Sequence, residues 1–392
     1  VIATLPFLAG LWTALGVFGR YITLLFFPWR LSADYSWPMI DRAGAAEPWA
    51  WLGLALAAGL LGLAGVALAR ARGGAAGARA PGDAAFPWGA LAVGLGFFAL
   101  AFFPVSNFLL RIGTVMAERV LYLPSVGFLI AVGAVAQWGW ARARGAARPA
   151  LVAALVLLCG AGAARCLARG LDWRDDRTLH GVTVLTSPRS ARAHANLGMQ
   201  SLKAGELEPA RVELERAVAL DPTYVEAWVN LGSIYLTTGQ PVPARHAMEQ
   251  ALVADPKWYT ALVGMGGLEI RLGRPAAALP PLQKAVELYR ENSEGWYNLG
   301  LARVALGDTV KGVEALRESA RLAPGDPEAL NNLAWYLATV GAFRGSREEA
   351  VRMARAAVGL RPDGNTWDTL AEALARAGRR DEALDACRHA LA

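Results

Sequence analysis

Residues 225–254 read VEAWVNLGSIYLTTGQPVPARHAMEQALVA, and Gly239 is the fifteenth residue of this stretch. Glycine returns with a period of 34 residues through the second half of the chain, at Gly205, Gly239, Gly273, Gly307 and Gly341. Other positions keep the same register. Leu-Gly pairs occupy the seventh and eighth positions in three repeats, and alanine occupies the twentieth position at Ala210, Ala244 and Ala278. Several independent positions in one register indicate an internal structural repeat.

A period of 34 with small and apolar residues at fixed positions is typical of tetratricopeptide repeats (TPR). Each such repeat is a helical hairpin whose apolar face is buried only by neighbouring repeats, so the hairpins stack into a solenoid. The register predicts repeats that start near Ala191, Val225, Tyr259, Ser293, Pro327 and Gly364. The fifth repeat carries about four extra residues around 343–347.

The first half of the chain contains five apolar runs of membrane-spanning length. They cover residues 1–28, 49–69, 86–103, 120–140 and 150–168. The runs are apolar on all sides, whereas helices of a soluble core would carry a polar face. We therefore predict an all-α chain in which a multi-pass transmembrane helical domain precedes a TPR α-solenoid. The predicted boundaries are 1–168 for the membrane domain, 169–190 for a connector and 191–392 for about six repeats.

The loops between the spans predict the orientation. Arginines cluster around 70–79 and 142–148, and the positive-inside rule assigns both loops to the cytoplasm. Loops 29–48 and 104–119 then lie on the far side of the membrane. One more crossing brings the repeats to that side as well, so we predict a periplasmic or lumenal TPR domain. The Ala, Gly and Arg bias suggests a bacterial inner membrane.

Charge and cysteine content exclude several classes of function. Residues 1–189 carry a net charge of +8 and residues 190–392 one of −2, so the basic excess comes from arginines that flank the spans. This distribution argues against a nucleic-acid partner. The three cysteines do not form a disulfide framework, and the four histidines lack the spacing of metal ligands. We expect neither a metal nor a firmly bound cofactor.

Two far-side segments carry polar residues where a span meets water. One runs through LSADYS at 31–36, and the other runs from FPVSN at 103–107 to AERVLYLPS at 117–125. Ionisable groups at this depth are costly unless they are paired or used. Candidates for a polar pocket are therefore Arg20, Asp34, Glu118 and Arg119. The alternative is interfacial anchoring, with Glu118 and Arg119 neutralising each other beside a belt of aromatic residues.

Three landmarks in this order resemble the transmembrane and tetratricopeptide repeat-containing (TMTC) O-mannosyltransferases. They are LSADYSWPMI at 31–40, FFPVSNFLLRIGTVMAERVLYLPSVGF at 102–128, and the Asp172-Trp173 junction followed by repeats. The resemblance implies a multi-pass fold of the C-type glycosyltransferases. It also implies transfer of mannose, or another sugar, from a polyprenyl-phosphate donor to Ser or Thr of a protein.

The resemblance also implies roles for the polar residues. Arg119 and Arg20 would bind the phosphate of the donor lipid, with Arg111 a weaker candidate, and Glu118 or Asp34 would be the acidic participants. Enzymes of this class place their main acid in the first far-side loop after the first span, and we expect that loop to be absent from this chain. The chain begins at Val1 inside an apolar run. We therefore expect a bacterial, N-terminally incomplete member of the family.

The repeats would then bind the acceptor protein. Asparagine occupies the sixth position of four repeats, at Asn196, Asn230, Asn298 and Asn332, and Gly264 interrupts the series. Equivalent positions on successive first helices line one concave surface, where side-chain amides can hydrogen-bond an extended peptide. The alternative is that these asparagines only solvate a groove, since asparagine is common at this position of TPRs.

Two other functional classes remain open. In the first, the spans only anchor a non-enzymatic TPR scaffold that recruits a protein partner. In the second, the chain is a polymerase or ligase for lipid-linked glycans with no peptide acceptor. A simple anchor needs one span, so five spans with polar far-side loops favour an enzyme.

Overall fold

The computed structural model describes residues 6–26, 32, 47–73, 86–108, 116 and 118–391. These residues form α-helices joined by short turns and 3-10 segments, and they contain no β-strand. Contacts between Cα atoms divide the chain into two compact units, Val1–Asp221 and Pro222–Ala392. Each unit is described by itself.

The first unit begins with five long apolar helices. They are α1 (Phe7–Phe26), α2 (Pro48–Gly73), α3 (Trp88–Phe102), α4 (Tyr122–Arg142) and α5 (Ala147–Asp172). All five are long and apolar enough to cross a membrane. In the described part of the chain, the number and order of these helices agree with the five predicted spans.

Glycines bring the membrane helices into backbone contact. A Cβ atom on Gly19 of α1 would lie 2.9 Å from the carbonyl oxygen of Trp49, and one on Gly53 of α2 would overlap the carbonyl of Leu15. The same arrangement joins α3 to α4, where a Cβ on Gly94 would lie 2.7 Å from the carbonyl oxygen of Gly127. Small residues allow such close approach where lipid provides no hydrophobic driving force.

An aromatic cluster lies where α1 meets α3. Its buried members are Val17, Phe18, Tyr21, Ile22, Phe98, Phe102, Met116 and Leu121. The ring centroids of Phe18 and Phe102 are 5.3 Å apart, and those of Tyr21 and Phe102 are 5.4 Å apart, both edge to face. We call this set the aromatic cluster. It fixes the segment that precedes α4 against the first and third spans.

The predicted connector contains a short helix. Helix α6 (Asp176–Thr186) starts after Asp175, whose carboxylate accepts a hydrogen bond from the Thr178 amide at 2.8 Å. This N-cap lowers the pKa of Asp175. The first hairpin, α7 (Ala191–Lys203) and α8 (Leu207–Leu220), follows. Arg177 of α6 forms a two-bond ion pair with Glu206, which ties α6 to the turn of this hairpin.

The second unit consists of five further hairpins. Their helices are α9 (Val225–Thr237), α10 (Pro241–Ala254), α11 (Tyr259–Arg271), α12 (Pro275–Leu288), α13 (Ser293–Ala305), α14 (Thr309–Leu322), α15 (Pro327–Thr339), α16 (Arg347–Leu360), α17 (Gly364–Arg376) and α18 (Arg380–Leu391). The first helix of each hairpin begins at the residue that the period predicts. The predicted fold class, a membrane helical domain followed by TPRs, is confirmed.

The turn glycine behaves differently in one repeat. Gly239 has a φ of +71°, and the equivalent glycines of the first, third and fourth repeats are also left-handed. Gly341 does not share this conformation, because it starts a 3-10 helix over Gly341–Ser346. In the fifth repeat this 3-10 helix connects α15 to α16. A left-handed glycine is therefore not needed at this turn.

Candidate functional site

The polar segment after α3 forms a compact turn. A 3-10 helix over Phe103–Val105 ends at Ser106, whose hydroxyl donates to the carbonyl of Phe103 at 2.7 Å and accepts from the amide of Phe108 at 3.3 Å. Asn107 is buried and has a φ of +60°. A left-handed residue other than glycine costs free energy and is common at functional sites.

The AERVLYLPS segment is anchored on both sides of its charged pair. Met116 and Leu121 are both buried in the aromatic cluster, and a 3-10 helix covers Glu118–Leu121. The backbone that carries Glu118 and Arg119 is therefore held beside the ends of α1 and α3. The side chains of Glu118 and Arg119, and all of Asp34 and Arg111, lie outside the described part of the structure.

Arg20 is held by the start of α2. Its guanidinium lies 3.6 Å from a carboxylate oxygen of Glu47 and 4.9 Å from the centre of the Trp49 ring. About a third of the Arg20 side chain remains exposed (33 %). The next residue, Tyr21, belongs to the aromatic cluster, so the segments that carry Arg20 and Arg119 meet at one place. Sequence reasoning missed Glu47 as the partner of Arg20. Its position directly before a span could have marked it as a charged residue at the membrane surface.

Ser32 joins the first far-side segment to the beginning of the repeats. It is buried, and its hydroxyl oxygen lies 2.7 Å from that of Ser187, just after α6. The Thr186 hydroxyl also donates to Ser32 at 3.2 Å. We call these three residues the hydroxyl clasp. Within the first unit the clasp brings Ser32 to the start of the repeats.

The clasp predicts a cross-link. In a background without Cys159, Cys166 and Cys387, the double variant Ser32→Cys/Ser187→Cys should form a disulfide on mild oxidation, because the two hydroxyls are within hydrogen-bonding distance. Slower migration or protection from a thiol reagent, reversed by reductant, would report it. The single variants Ser32→Cys and Ser187→Cys, which cannot form this disulfide, are the controls. Two thiols that stay fully reactive in the Ser32/Ser187 pair would contradict this contact.

Two of the predicted peptide-binding asparagines have engaged amide groups. Asn332 donates to the Tyr297 hydroxyl at 2.6 Å, which in turn donates to the Glu328 carboxylate at 3.1 Å. Asn298 donates to the carbonyl of Glu294 at 3.2 Å. Burial and then the charge of Glu328 raise the pKa of the Tyr297 hydroxyl, which therefore stays a neutral donor at physiological pH.

The remaining two asparagines are partly exposed. Asn230 lies on α9 of the second unit, and Asn196 lies on α7 of the first unit. Packing explains why Gly264 interrupts the series, because a Cβ atom there would lie 2.9 Å from the terminal carbon of Met248. Sequence reasoning missed Tyr297 and Glu328. The sequence did contain a hint of this contact, because a tyrosine stands beside Asn298 and an acidic residue stands at the second position of the next repeat.

Among the described residues, no group of three or more His, Cys, Asp or Glu side chains could hold a metal ion. The described part of the site contributes the Arg20 guanidinium, the Glu47 carboxylate and the hydroxyl groups of Ser32 and Ser106.

Family models identify the repeats. Models described as tetratricopeptide repeat match residues 243–293 and 263–327, and also 225–257, while a model described as TPR repeat matches residues 202–239. Curated relatives are protein O-mannosyl-transferases. Tmtc1 of Drosophila melanogaster is 37 % identical over 136 residues, 34 % of this chain and 16 % of the relative. Human TMTC4 is 33 % identical over 178 residues, 45 % of this chain and 22 % of the relative.

The chain is similar to the TMTC protein O-mannosyl-transferases. A further relative is Tmtc2 of Drosophila melanogaster, which is 37 % identical over 137 residues, 35 % of this chain and 14 % of the relative. The matched segments thus span 14–22 % of the length of these three TMTC proteins. The resemblance expected from the sequence landmarks is confirmed.

Solved TPR structures are also similar to the repeat half of this TMTC relative. YrrB, a TPR protein described as having an unusual peptide-binding site, gives a TM-score of 0.39 at 23 % identity and covers 47 % of this chain and 92 % of its own. PilF of Pseudomonas aeruginosa gives a TM-score of 0.45 at 23 % identity, with 50 % and 88 % covered.

Proposed function

We propose that this chain is part of a membrane glycosyltransferase that moves mannose, or another sugar, from a polyprenyl-phosphate donor to a Ser or Thr hydroxyl of a protein. The observation that supports this proposal is its similarity to several protein O-mannosyl-transferases. The donor is a substrate in this scheme, and no metal takes part.

Two arginines would bind the phosphate of the donor. Arg119 lies on the segment that the aromatic cluster holds between Met116 and Leu121, and Arg20 is fixed by Glu47 and Trp49. Guanidinium groups bind phosphate through paired, charge-assisted hydrogen bonds. They would stabilise the charge that remains on the polyprenyl phosphate as the bond to the sugar breaks.

A carboxylate would activate the acceptor. The acceptor oxygen forms the new bond to the anomeric carbon while the bond from that carbon to the phosphate oxygen breaks, and the hydroxyl proton passes to Glu118 or Asp34. The products are the glycosylated protein and the polyprenyl phosphate. The resemblance implies only that these two acids take part in the reaction, and we propose here that one of them accepts the proton.

The TPR domain would present the acceptor on the far side of a bacterial inner membrane, in the periplasm. The hydroxyl clasp supports a common side for the LSADYS segment and the first repeat. Acceptor peptides would bind the sixth-position asparagines, which are Asn230, Asn298 and Asn332 in the second unit and Asn196 in the first. Asn298 and Asn332 each donate one side-chain hydrogen bond within the repeats, and their oxygens would accept from peptide N–H groups.

The decisive test uses membranes that contain the full-length protein and radiolabelled polyprenyl-phosphate mannose. We expect alkali-labile label on protein, reduced about 100-fold by Arg119→Ala because a phosphate-binding charge is lost. Arg142→Ala, at the opposite end of α4, is the matched control and should keep full transfer. Absence of label in the unmodified protein would refute mannose transfer and favour a tethered scaffold. Full transfer by a folded Arg119→Ala would refute the site.

A further inference from the structure

Three hydrogen-bonded side chains join the fourth and fifth repeats in the second unit. The Asn332 amide nitrogen donates to the Tyr297 hydroxyl at 2.6 Å, and this hydroxyl donates to a carboxylate oxygen of Glu328 at 3.1 Å. Tyr297 lies on α13, whereas Glu328 and Asn332 lie one turn apart on α15. We call these three residues the amide relay.

The direction of the hydrogen bonds in the amide relay follows from its last member. A carboxylate can only accept, so the single hydrogen of the Tyr297 hydroxyl goes to Glu328. The hydroxyl then has only lone pairs left for Asn332, which must turn its NH2 group toward the hydroxyl and its oxygen away. The Asn332 amide therefore has one orientation, although its two ends have nearly the same shape.

Both ends of the amide relay are held by the fold. The Tyr297 ring is half-buried and packs against the buried core of the last three repeats. Glu328 lies in the first turn of α15, where its backbone amide donates to the N-cap carboxylate of Asp326 at 2.9 Å. The orientation of the Asn332 amide is therefore set before any ligand binds.

We propose that Tyr297 and Glu328 are positioning residues that make Asn332 an acceptor for a backbone N–H of an extended peptide. The inference rests on the proposed function, which supplies the acceptor peptide. No described residue donates to the Asn332 oxygen, and Asn332 is only half-buried. Asn298, one repeat earlier, also leaves its oxygen unbonded among the described residues, because its nitrogen donates to the Glu294 carbonyl. Proline or an N-methylated residue could not bind at these positions through such a bond.

A change of Glu328 to lysine tests the direction of the amide relay. An ammonium can only donate, so the Tyr297 hydrogen turns to the Asn332 oxygen and the NH2 group faces the ligand. The probes are a fluorescent dodecapeptide of alternating Ala and Thr and the same peptide with every backbone amide methylated, each added to the full-length protein in detergent. We expect the unmodified protein to prefer the first peptide. Glu328→Lys should lower this preference about tenfold, because one hydrogen bond to the peptide is lost.

Matched variants separate the amide relay from changes in charge and in the tyrosine ring. Glu294→Lys makes the same change at the second position of the fourth repeat, where a backbone carbonyl holds Asn298, and should keep the preference. Tyr297→Phe should lower the preference about threefold, because the Asn332 amide must then be ordered on binding. Tyr336→Phe is its control, since the half-buried Tyr336 hydroxyl bonds no described residue.

A measurement without peptide tests the amide relay by itself. With isotope-labelled asparagine, one side-chain amide hydrogen of Asn332 should exchange slowly with water, and Tyr297→Phe should make it exchange quickly. Exchange that Tyr297→Phe leaves unchanged would overturn the relay. Equal effects of Glu328→Lys and Glu294→Lys on the peptide preference, or no preference in the unmodified protein, would overturn its role in peptide binding. The probes include no sugar donor, so a relay-dependent preference without mannose transfer would uphold the inference and reject the transferase.

Discussion

Gly53→Ala should destabilise the membrane unit by about 3 kcal/mol or more, because the added methyl group meets backbone and not a movable side chain. A Cβ at this position would overlap the carbonyl of Leu15 and lie 3.2 Å from the amide nitrogen of Gly19. Helices α1 and α2 would have to separate to make room. Separation would also disturb Arg20, which is paired with Glu47 across this crossing.

The same helix supplies a control for Gly53→Ala. A Cβ on Gly59 would have no neighbour within 4 Å, so Gly59→Ala should be neutral or slightly stabilising through helix propensity. An SDS titration of the purified protein in detergent, followed by tryptophan emission, would measure both variants. Equal unfolding midpoints would show that α1 and α2 do not cross in the way described.

Arg245→Ala should destabilise the second and third repeats by about 3 kcal/mol, since it leaves a buried carboxylate without its partner. The Arg245 guanidinium lies 2.5 Å from a carboxylate oxygen of Glu269, whose side chain is only 3 % exposed. The other carboxylate oxygen of Glu269 has no hydrogen-bond partner among the described residues. The pair joins α10 to α11.

Two further variants separate charge from packing. The double variant Arg245→Leu/Glu269→Leu should recover most of the lost stability, because apolar groups can replace a buried pair. Arg355→Ala breaks an ion pair whose side chains are about half exposed and should cost less than about 1 kcal/mol. Amide hydrogen exchange in the intact protein measures the local loss, in α10 and α11 for Arg245→Ala and in α16 and α18 for Arg355→Ala. Similar losses for Arg245→Ala and Arg355→Ala would refute the special role of the buried pair.

The period of the repeats could be predicted because each hairpin is a local unit with fixed packing positions. The eighth position is small because Gly198 and Gly300 face the side chains of Leu214 and Leu316, at Cβ distances of 2.8 and 2.7 Å. Such contacts recur every 34 residues and leave a pattern. Gly341 keeps the period but not the conformation, since the extra residues that follow it change the turn.

The candidate site could be predicted only in part. Polar residues next to spans marked the segments around Arg20 and Arg119, because charge at that depth is rare. The residues that contact these segments could not be predicted from the sequence. Glu47 reaches Arg20 only because α1 and α2 cross at glycines, and Ser32 reaches Ser187 only through the arrangement of all five spans. Such contacts depend on how distant segments pack in three dimensions, so they produce no regular spacing of residues in the sequence.

The hydroxyl clasp has a consequence for how the protein is made. Ser32 and Ser187 are 155 residues apart, and all the spans from α2 to α5 lie between them. At about 5–20 residues per second, a ribosome needs roughly 8–30 s to synthesise that interval. Ser32 emerges before α2 to α5 and meets its partner only after α5 has been inserted. The clasp is thus among the last contacts of the membrane unit to form during translation.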